Sequence, residues 1–474
     1  MRRTAVRIVL VLVWCAIAPL RAAPMALYTV ENYDVSLRPD LAKRLLYGEA
    51  KIRLVSQSSN DISSLQMDAG GLRIISVLEG TSSQYFERDH NMLFVVLKNP
   101  LRGDASRTIT VRYEAGPAPG LKFFPDQIYT SVTSDWMPCN CDPRERATLH
   151  LTIAGPPDST AAASGQLTAT RSSEGQNITE WQLDSPTDPS WFGFALGSFA
   201  ENISDTEGVK LRVLAGKQIA SGKKIMDSTA AAIGYLAERA GKHYPGQMYT
   251  QVFVHASGQR DEGDAVRPMA SGLTLLPESY AQGLGSKPDD LRLLVNELAH
   301  QWYGVAINTN DGSDSWLSEG ISAFLADAFM GQQFGKERYE GEIAHSRQIY
   351  NQIRAEGRDR ALSDSGGTAS QHAGGDIPEH KGAWFLYLVN QLIGDNAFWN
   401  GLRRYTSNQW GQVATSQDLQ MALDGVDTGN RNINRKGDAP MRKGNAKTAA
   451  KPLDNLFDLW VYGLPNTDSR SKSR

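Results

Sequence analysis

The chain has 474 residues, of which 41% are hydrophobic and 21% charged, with a formal net charge of −3. That length exceeds what a single core organises and points to two or three domains. A slightly acidic balance with no basic excess argues against nucleic acid as a partner.

The first 23 residues have the order of a secretory signal peptide. Arg2, Arg3 and Arg7 precede an apolar run from Ile8 to Pro19, and small residues at Ala22 and Ala23 mark the expected cleavage site. Removing them takes away four arginines and no acid, leaving 45 basic against 52 acidic residues, a net of −7. The expectation is an exported protein, periplasmic or secreted, with a retained N-terminal anchor as the alternative. No later segment approaches the roughly 18–20 apolar residues of a membrane helix, so no membrane span is expected in the mature chain. The oligomeric state is not legible from the sequence.

Residues 24–205 read as a β domain. Short alternating runs such as Ala50–Leu54, Thr108–Tyr113 and Ala147–Ile153 are separated by Gly, Asp, Asn and Ser, the pattern of an antiparallel sandwich or saddle. Cys139 and Cys141 have one residue between them, a spacing that strains a mutual disulfide, and are expected to pack in a turn. Residues 206–426 change to helical period. Helices are expected over 220–240, 290–305, 315–332, 336–356, 381–392 and 396–410, with a strand over 249–255. The whole is therefore α+β and multidomain. Residues 427–452 carry seven basic side chains and almost no apolar ones, the composition of a solvated linker. Residues 453–474 begin with an apolar helical stretch, Leu453 to Val461, expected to dock back on the second domain.

The chemistry lies in Asn296-Glu297-Leu298-Ala299-His300-Gln301-Trp302. Its frame is H-E-x-x-H, in which two histidines at i and i+4 bind zinc and the glutamate acts as general base. Glu297 and His300 are in place, and Asn296 stands where the first histidine belongs. Glu319 follows His300 in Ser318-Glu319-Gly320, at the place of the carboxylate in a His-His-Glu site.

With these residues the second domain resembles the M1 zinc aminopeptidases, whose catalytic domain is thermolysin-like (gluzincin). The resemblance extends to Trp136-Met137-Pro138-Cys139, Lys381-Gly382-Ala383 and Leu456-Phe457-Asp458-x-Trp460. It implies zinc held by His300, Glu319 and the degenerate position Asn296, with Glu297 as base. It also implies substrate contacts at Met269, Ala270 and Ser271, where the family's Gly-x-Met-Glu-Asn strand aligns. Two further functional positions depart: the amine-binding glutamate is Ala270, and the tyrosine that stabilises the tetrahedral intermediate is Glu379. Arg267-Pro268 replaces small residues beside them.

An amide oxygen is a much poorer zinc donor than imidazole, and without tightly held zinc the bound water is not activated. Zinc binding is thus expected to be weak. The reading is a pseudopeptidase that binds a peptide or protein in its cleft. One alternative is an active metallopeptidase with a rebuilt site, its nitrogen supplied by His255, His372 or His380. The other is a structural envelope protein with a vestigial cleft. Trp302, Trp316 and Trp384 are expected in the core rather than against a ligand.

Overall fold

Period-two alternation builds the first domain. In Ala147–Gly155, Leu149, Leu151 and Ile153 are buried while Thr148, His150 and Thr152 lie half-exposed. His150 meets Asp34 on the neighbouring strand at 3.1 Å. The computed structural model describes residues 27–103, 105–216, 222–255, 269–283, 288–309, 313–364, 376–425 and 452–463. The expected signal peptide and nearly all of the basic linker fall outside these residues.

The large sheet has eight strands, and Tyr28–Asp40 lies at its centre. That strand pairs antiparallel with Leu45–Ser56 and parallel with Ala147–Gly155, the one parallel ladder in a sheet otherwise antiparallel among the described residues. A three-stranded sheet (Ile62–Asp68, Met92–Leu101, Tyr85–Asp89) and a four-stranded sheet (Thr160–Ala163, Phe194–Gly197, Gln127–Thr130, Leu121–Phe123) complete the domain. Its core gathers Tyr33, Val35, Ile52, Ile109, Trp136 and Trp181.

The second domain opens on a five-stranded mixed sheet. Ala200–Thr206 pairs with Val209–Ala215, so the sheet starts ahead of the expected boundary at residue 206. The central strand, Met248–Val254, is buried along its whole length and runs parallel to both neighbours, Val209–Ala215 and Leu273–Pro277. Met269–Ala270 forms the far edge.

The helices are α1 (Gly222–Ala240), α2 (Glu278–Gly283), α3 (Pro288–Ala299), α4 (Ser315–Phe334), α5 (Lys336–Ala355), α6 (Gly382–Ile393), α7 (Asp395–Gln409), α8 (Ser416–Leu423) and α9 (Pro452–Trp460). Helix α3 begins with Pro288 followed by Asp289 and Asp290, a proline and two acids where a helix start favours both. It is shorter than the sequence period predicts. Residues 300–305 leave the helix in tight turns, although the His300 amide still bonds the Asn296 carbonyl at 3.3 Å. Helix α4 is buried nearly all round and forms the axis of the domain. Helix α6 crosses it at Gly320 and Gly382, where a Cβ on either glycine would lie 2.9 Å from the other's Cα. The glycine of Lys381-Gly382-Ala383 is thus required by packing.

Trp302 and Trp316 are fully buried, donating to the Lys242 carbonyl (2.8 Å) and the Ser416 hydroxyl (2.9 Å). Trp384 is half-buried and stacks on Tyr387. Helix α9 docks as expected: Phe457 packs edge-on against Phe385 at 5.1 Å, and Trp460 lies 5.0 Å from the Tyr350 ring. Among the described residues no helix is long and apolar enough to cross a membrane.

Cys139 and Cys141 correct the sequence expectation, because they are bonded to each other. Cys139 bridges to Asp68 and the chain bends between the two cysteines, which brings residues i and i+2 close. Their Cα atoms stand 5.6 Å apart, a separation a disulfide spans.

Two buried acids in the β domain give stability a pH dependence. Burial pushes Glu145 up to about 7, against a hydrogen bond from the Val30 amide, and pushes Asp188 up to about 6. The folded state holds these protons at pH values where the unfolded chain has released them. The stability these two groups contribute is fully present below the unfolded carboxylate range and is lost as pH rises to about 7. Glu145→Gln keeps an acceptor for Val30 and should flatten this fall. Urea midpoints at pH 5 and pH 8 check it, and equal differences in both proteins would refute it.

Candidate metal centre and peptide cleft

Helix α3 carries Asn296 and Glu297, both 7% exposed, and its final turn presents His300, 2% exposed. Helix α4 brings Glu319 opposite, with its Oε2 3.6 Å from His300 Nε2. The imidazole is oriented from behind. Its Nδ1 lies 3.2 Å from the Tyr303 carbonyl and 2.9 Å from the Ser318 hydroxyl, which itself donates to that carbonyl. Both neighbours accept, so Nδ1 carries the hydrogen and Nε2 turns its lone pair toward Glu319. This is the disposition of two ligands sharing one cation.

The third donor is deficient. Asn296 hydrogen-bonds Glu297 through its side chain, and its own Oδ1 is buried without a partner, as is Glu297 Oε2. Burial pushes the Glu297 carboxyl up to about 8, and the negative charges of Glu319 and Glu379 add to the shift against the Asn296 hydrogen bond. Without a cation, Glu297 is largely protonated at neutral pH and is a poor base.

The alternative imidazoles do not complete the set. His255 is committed on both sides, Nδ1 to Glu278 at 3.0 Å and Nε2 to Asp126 at 3.2 Å. His380 faces the Ser346 hydroxyl at 3.3 Å and lies edge-on to the His345 ring, and burial lowers its pKa. No hydrogen bond or ion pair joins either to His300 or Glu319 among the described residues; His372, Arg267 and Pro268 lie outside them. The residues present offer one imidazole, one carboxylate and one amide oxygen, which does not fit a tightly held catalytic zinc.

Glu379, at the family's tyrosine position, sits in the π-turn stretch Ile377–Lys381 ahead of α6. Its Oε1 lies 3.5 Å from Nη1 of Arg292, one turn before Asn296 on α3. The same guanidinium bonds buried Asp327 at 2.7 Å and reaches Glu342 at 3.5 Å. Burial alone would lower the Arg292 pKa, but Asp327, Glu379 and Glu342 together hold it raised. Sequence reasoning missed Arg292. Its signals were the i, i+4 spacing to Asn296 and the single charge, Asp327, inside the apolar run Gly320–Met330.

The edge strand Met269–Ala270 and Ser271 are tied to the end of α3 by Gln301, also missed. Its Nε2 donates to the Ala270 carbonyl (3.0 Å) and its Oε1 accepts from the Gly272 amide (2.8 Å). Ser271 donates its amide to the Trp191 carbonyl in the β domain at 2.8 Å. Ala270 is 5% exposed, so the strand sits beside the site without an acidic side chain. Behind it, a cavity of about 440 Å³ between the domains is lined by Arg146, Tyr244, Met248, Ser271, Gln301 and Trp410, among others.

Residues 225–437 match the model of the Peptidase family M1 domain. A probable aminopeptidase 2 of Sulfurisphaera tokodaii is 21% identical over 411 residues, covering 84% of this chain and 51% of that protein. Human aminopeptidase O is 28% identical over 160 residues, covering 28% of this chain and 19% of its own. The chain thus spans about half, or much less, of the curated relatives it matches. Among solved structures, a mutant M1 zinc metallopeptidase from Deinococcus radiodurans superposes with a TM-score of 0.73 at 20% identity, covering 93% of this chain and 96% of that one. The same protein with a bound Tyr-Ser-Ala substrate gives a TM-score of 0.73 over 92% and 94% of the two chains, again at 20% identity. Residues 225–437 thus match a Peptidase family M1 domain, and the order of β domain then helical domain is that of the M1 metallopeptidase fold, so the chain is M1 aminopeptidase-like in sequence and fold.

Proposed function

We propose that this chain is a pseudopeptidase of the M1 type, which binds peptide in the cleft beside α3 and does not hydrolyse it. The observation that carries the reading is Asn296, whose unpartnered amide oxygen occupies the first ligand position beside an otherwise intact His300–Glu319 pair. Ala270 and Glu379 extend it, because the positions that hold the substrate's amine and its oxyanion in the family have changed as well. Backbone recognition does not depend on those side chains. The edge strand Met269–Ala270, where the family's substrate strand aligns, is held in place by Gln301. The supporting relative is the Deinococcus radiodurans enzyme bound to Tyr-Ser-Ala.

The retained orientation of His300 by Tyr303 and Ser318 favours a second reading, a metallopeptidase that works with weakly held zinc. One experiment separates the two. Calorimetric titration with Tyr-Ser-Ala and longer peptides, with and without added zinc, is paired with an assay for released amino acids. Binding without turnover under both conditions is expected. Zinc-dependent release that disappears in Glu297→Gln would establish the second reading instead.

A further inference from the structure

A second cluster of ligating side chains lies in the β domain, remote in sequence from α3 and independent of the function proposed above. Asp68 ends the strand Ile62–Asp68, and Cys139 and Cys141 follow on a segment bridged to it. The two sulfurs and a carboxylate oxygen of Asp68 all lie within 4.8 Å of one another. Cys139 is fully buried, whereas Cys141 and Asp68 are half-buried, so the cluster is reached from one side.

Backbone hydrogen bonds hold this arrangement beside the disulfide. Asp68 and Cys139 exchange amide–carbonyl bonds of 2.8 and 2.9 Å, and the Cys141 amide donates to Asp68 Oδ2 at 3.1 Å. Between the cysteines, the Asn140 amide donates to the Tyr33 hydroxyl at 2.9 Å. No lysine or arginine pairs with the Asp68 carboxylate among the described residues. When the sulfur–sulfur bond opens, two thiols and a carboxylate remain facing one point.

We propose that Cys139, Cys141 and Asp68 form a redox-gated site for a thiophilic divalent cation of the zinc and cadmium type, closed as the disulfide and open as the dithiol. Two thiolates with one carboxylate suit such borderline-to-soft ions and leave a fourth position for water. Opening requires a dithiol reductant. One of its thiolates attacks the reachable Cys141 sulfur, the Cys139–Cys141 bond breaks, and Cys139 leaves as a thiolate that takes a proton. The reductant's second thiol then closes on the first, releasing the Cys141 thiol and leaving the reductant as its own disulfide, with two electrons passed to the protein. Cation binding forms two sulfur–metal bonds and one oxygen–metal bond and releases the two thiol protons.

The test uses the full chain carrying Cys15→Ser, so that only Cys139 and Cys141 supply sulfur. The protein is reduced with dithiothreitol, separated from it without oxygen, and titrated with cadmium while the ultraviolet thiolate-to-cadmium charge-transfer band is followed. One equivalent should bind to the reduced protein and none to the oxidised protein with this signature. Cys141→Ser should abolish the band, and Asp68→Asn should weaken binding by at least about tenfold. A reduced protein without the band, a band that survives Cys141→Ser, or loss of folded circular dichroism on reduction would each overturn the proposal.

Discussion

Asn296→His should turn a protein that loses zinc on dialysis into one that keeps close to one equivalent, with zinc affinity raised by more than about 100-fold. That figure is a lower bound, since an outer-shell partner alone is typically worth about 10–100-fold and a ligand is worth more. The expectation rests on three observations. His300 Nε2 and Glu319 Oε2 already stand 3.6 Å apart, the bond from the His300 amide to the Asn296 carbonyl keeps the two side chains in α-helical register, and the Asn296 oxygen is idle. Metal analysis after zinc loading and dialysis of both proteins reads the result directly. Equal zinc in the two would mean that residue 296 does not limit the site. Under the function proposed here, restored metal is not expected to restore aminopeptidase turnover, because by resemblance Ala270 and Glu379 replace the family's amine-binding and oxyanion-stabilising groups.

Arg292→Leu should lower the free energy of unfolding by about 3–5 kcal/mol, the usual cost of removing one partner from a buried ion pair. Asp327 is fully buried and bonds the Arg292 guanidinium at 2.7 Å, whereas Glu342 also pairs with Arg338. Leaving Asp327 in place strands a buried acid without its cation. The double variant Arg292→Leu with Asp327→Leu should recover most of the loss, since it removes the principal uncompensated group. Urea titration of the three proteins measures both effects. A single-variant loss below about 1 kcal/mol would show that the pair behaves like an exposed one.

These two expectations concern one stripe of α3. Arg292 and Asn296 are four residues apart; Arg292 meets acids delivered by other elements, and Asn296 meets its neighbour on α3. Arg292 holds Glu379 at 3.5 Å, while Asn296 hydrogen-bonds Glu297. Where the family uses a tyrosine, this chain has placed a carboxylate and given it a cationic partner. The result is a paired carboxylate at that position.

Much of the site was legible because its spacing is local. Residues 296 and 300 are at i and i+4, the second just past the end of α3, so their types could be read without coordinates. The two-domain order, the long helices and the docking of Leu453–Val461 followed from hydrophobic period for the same reason. Other features depend on partners distant in the chain, and periodicity carries no information about them. Alternation marks Ala200–Thr206 as a strand but does not say which sheet it joins; its pairing with Val209–Ala215 assigns it to the second domain. Gln301 reads as a helix residue until Ala270 and Gly272, about thirty positions away, are seen against it. Arg292 acquires its role from acids on α4, α5 and the turn before α6. The sequence by itself determined the fold class and the placement of Asn296 and Glu297 on one helix, because each follows from near-neighbour geometry. Only the tertiary structure decided that no described histidine replaces the imidazole absent at Asn296, that Glu379 is paired, and that Cys139 and Cys141 are joined, because contacts across the fold are set by packing.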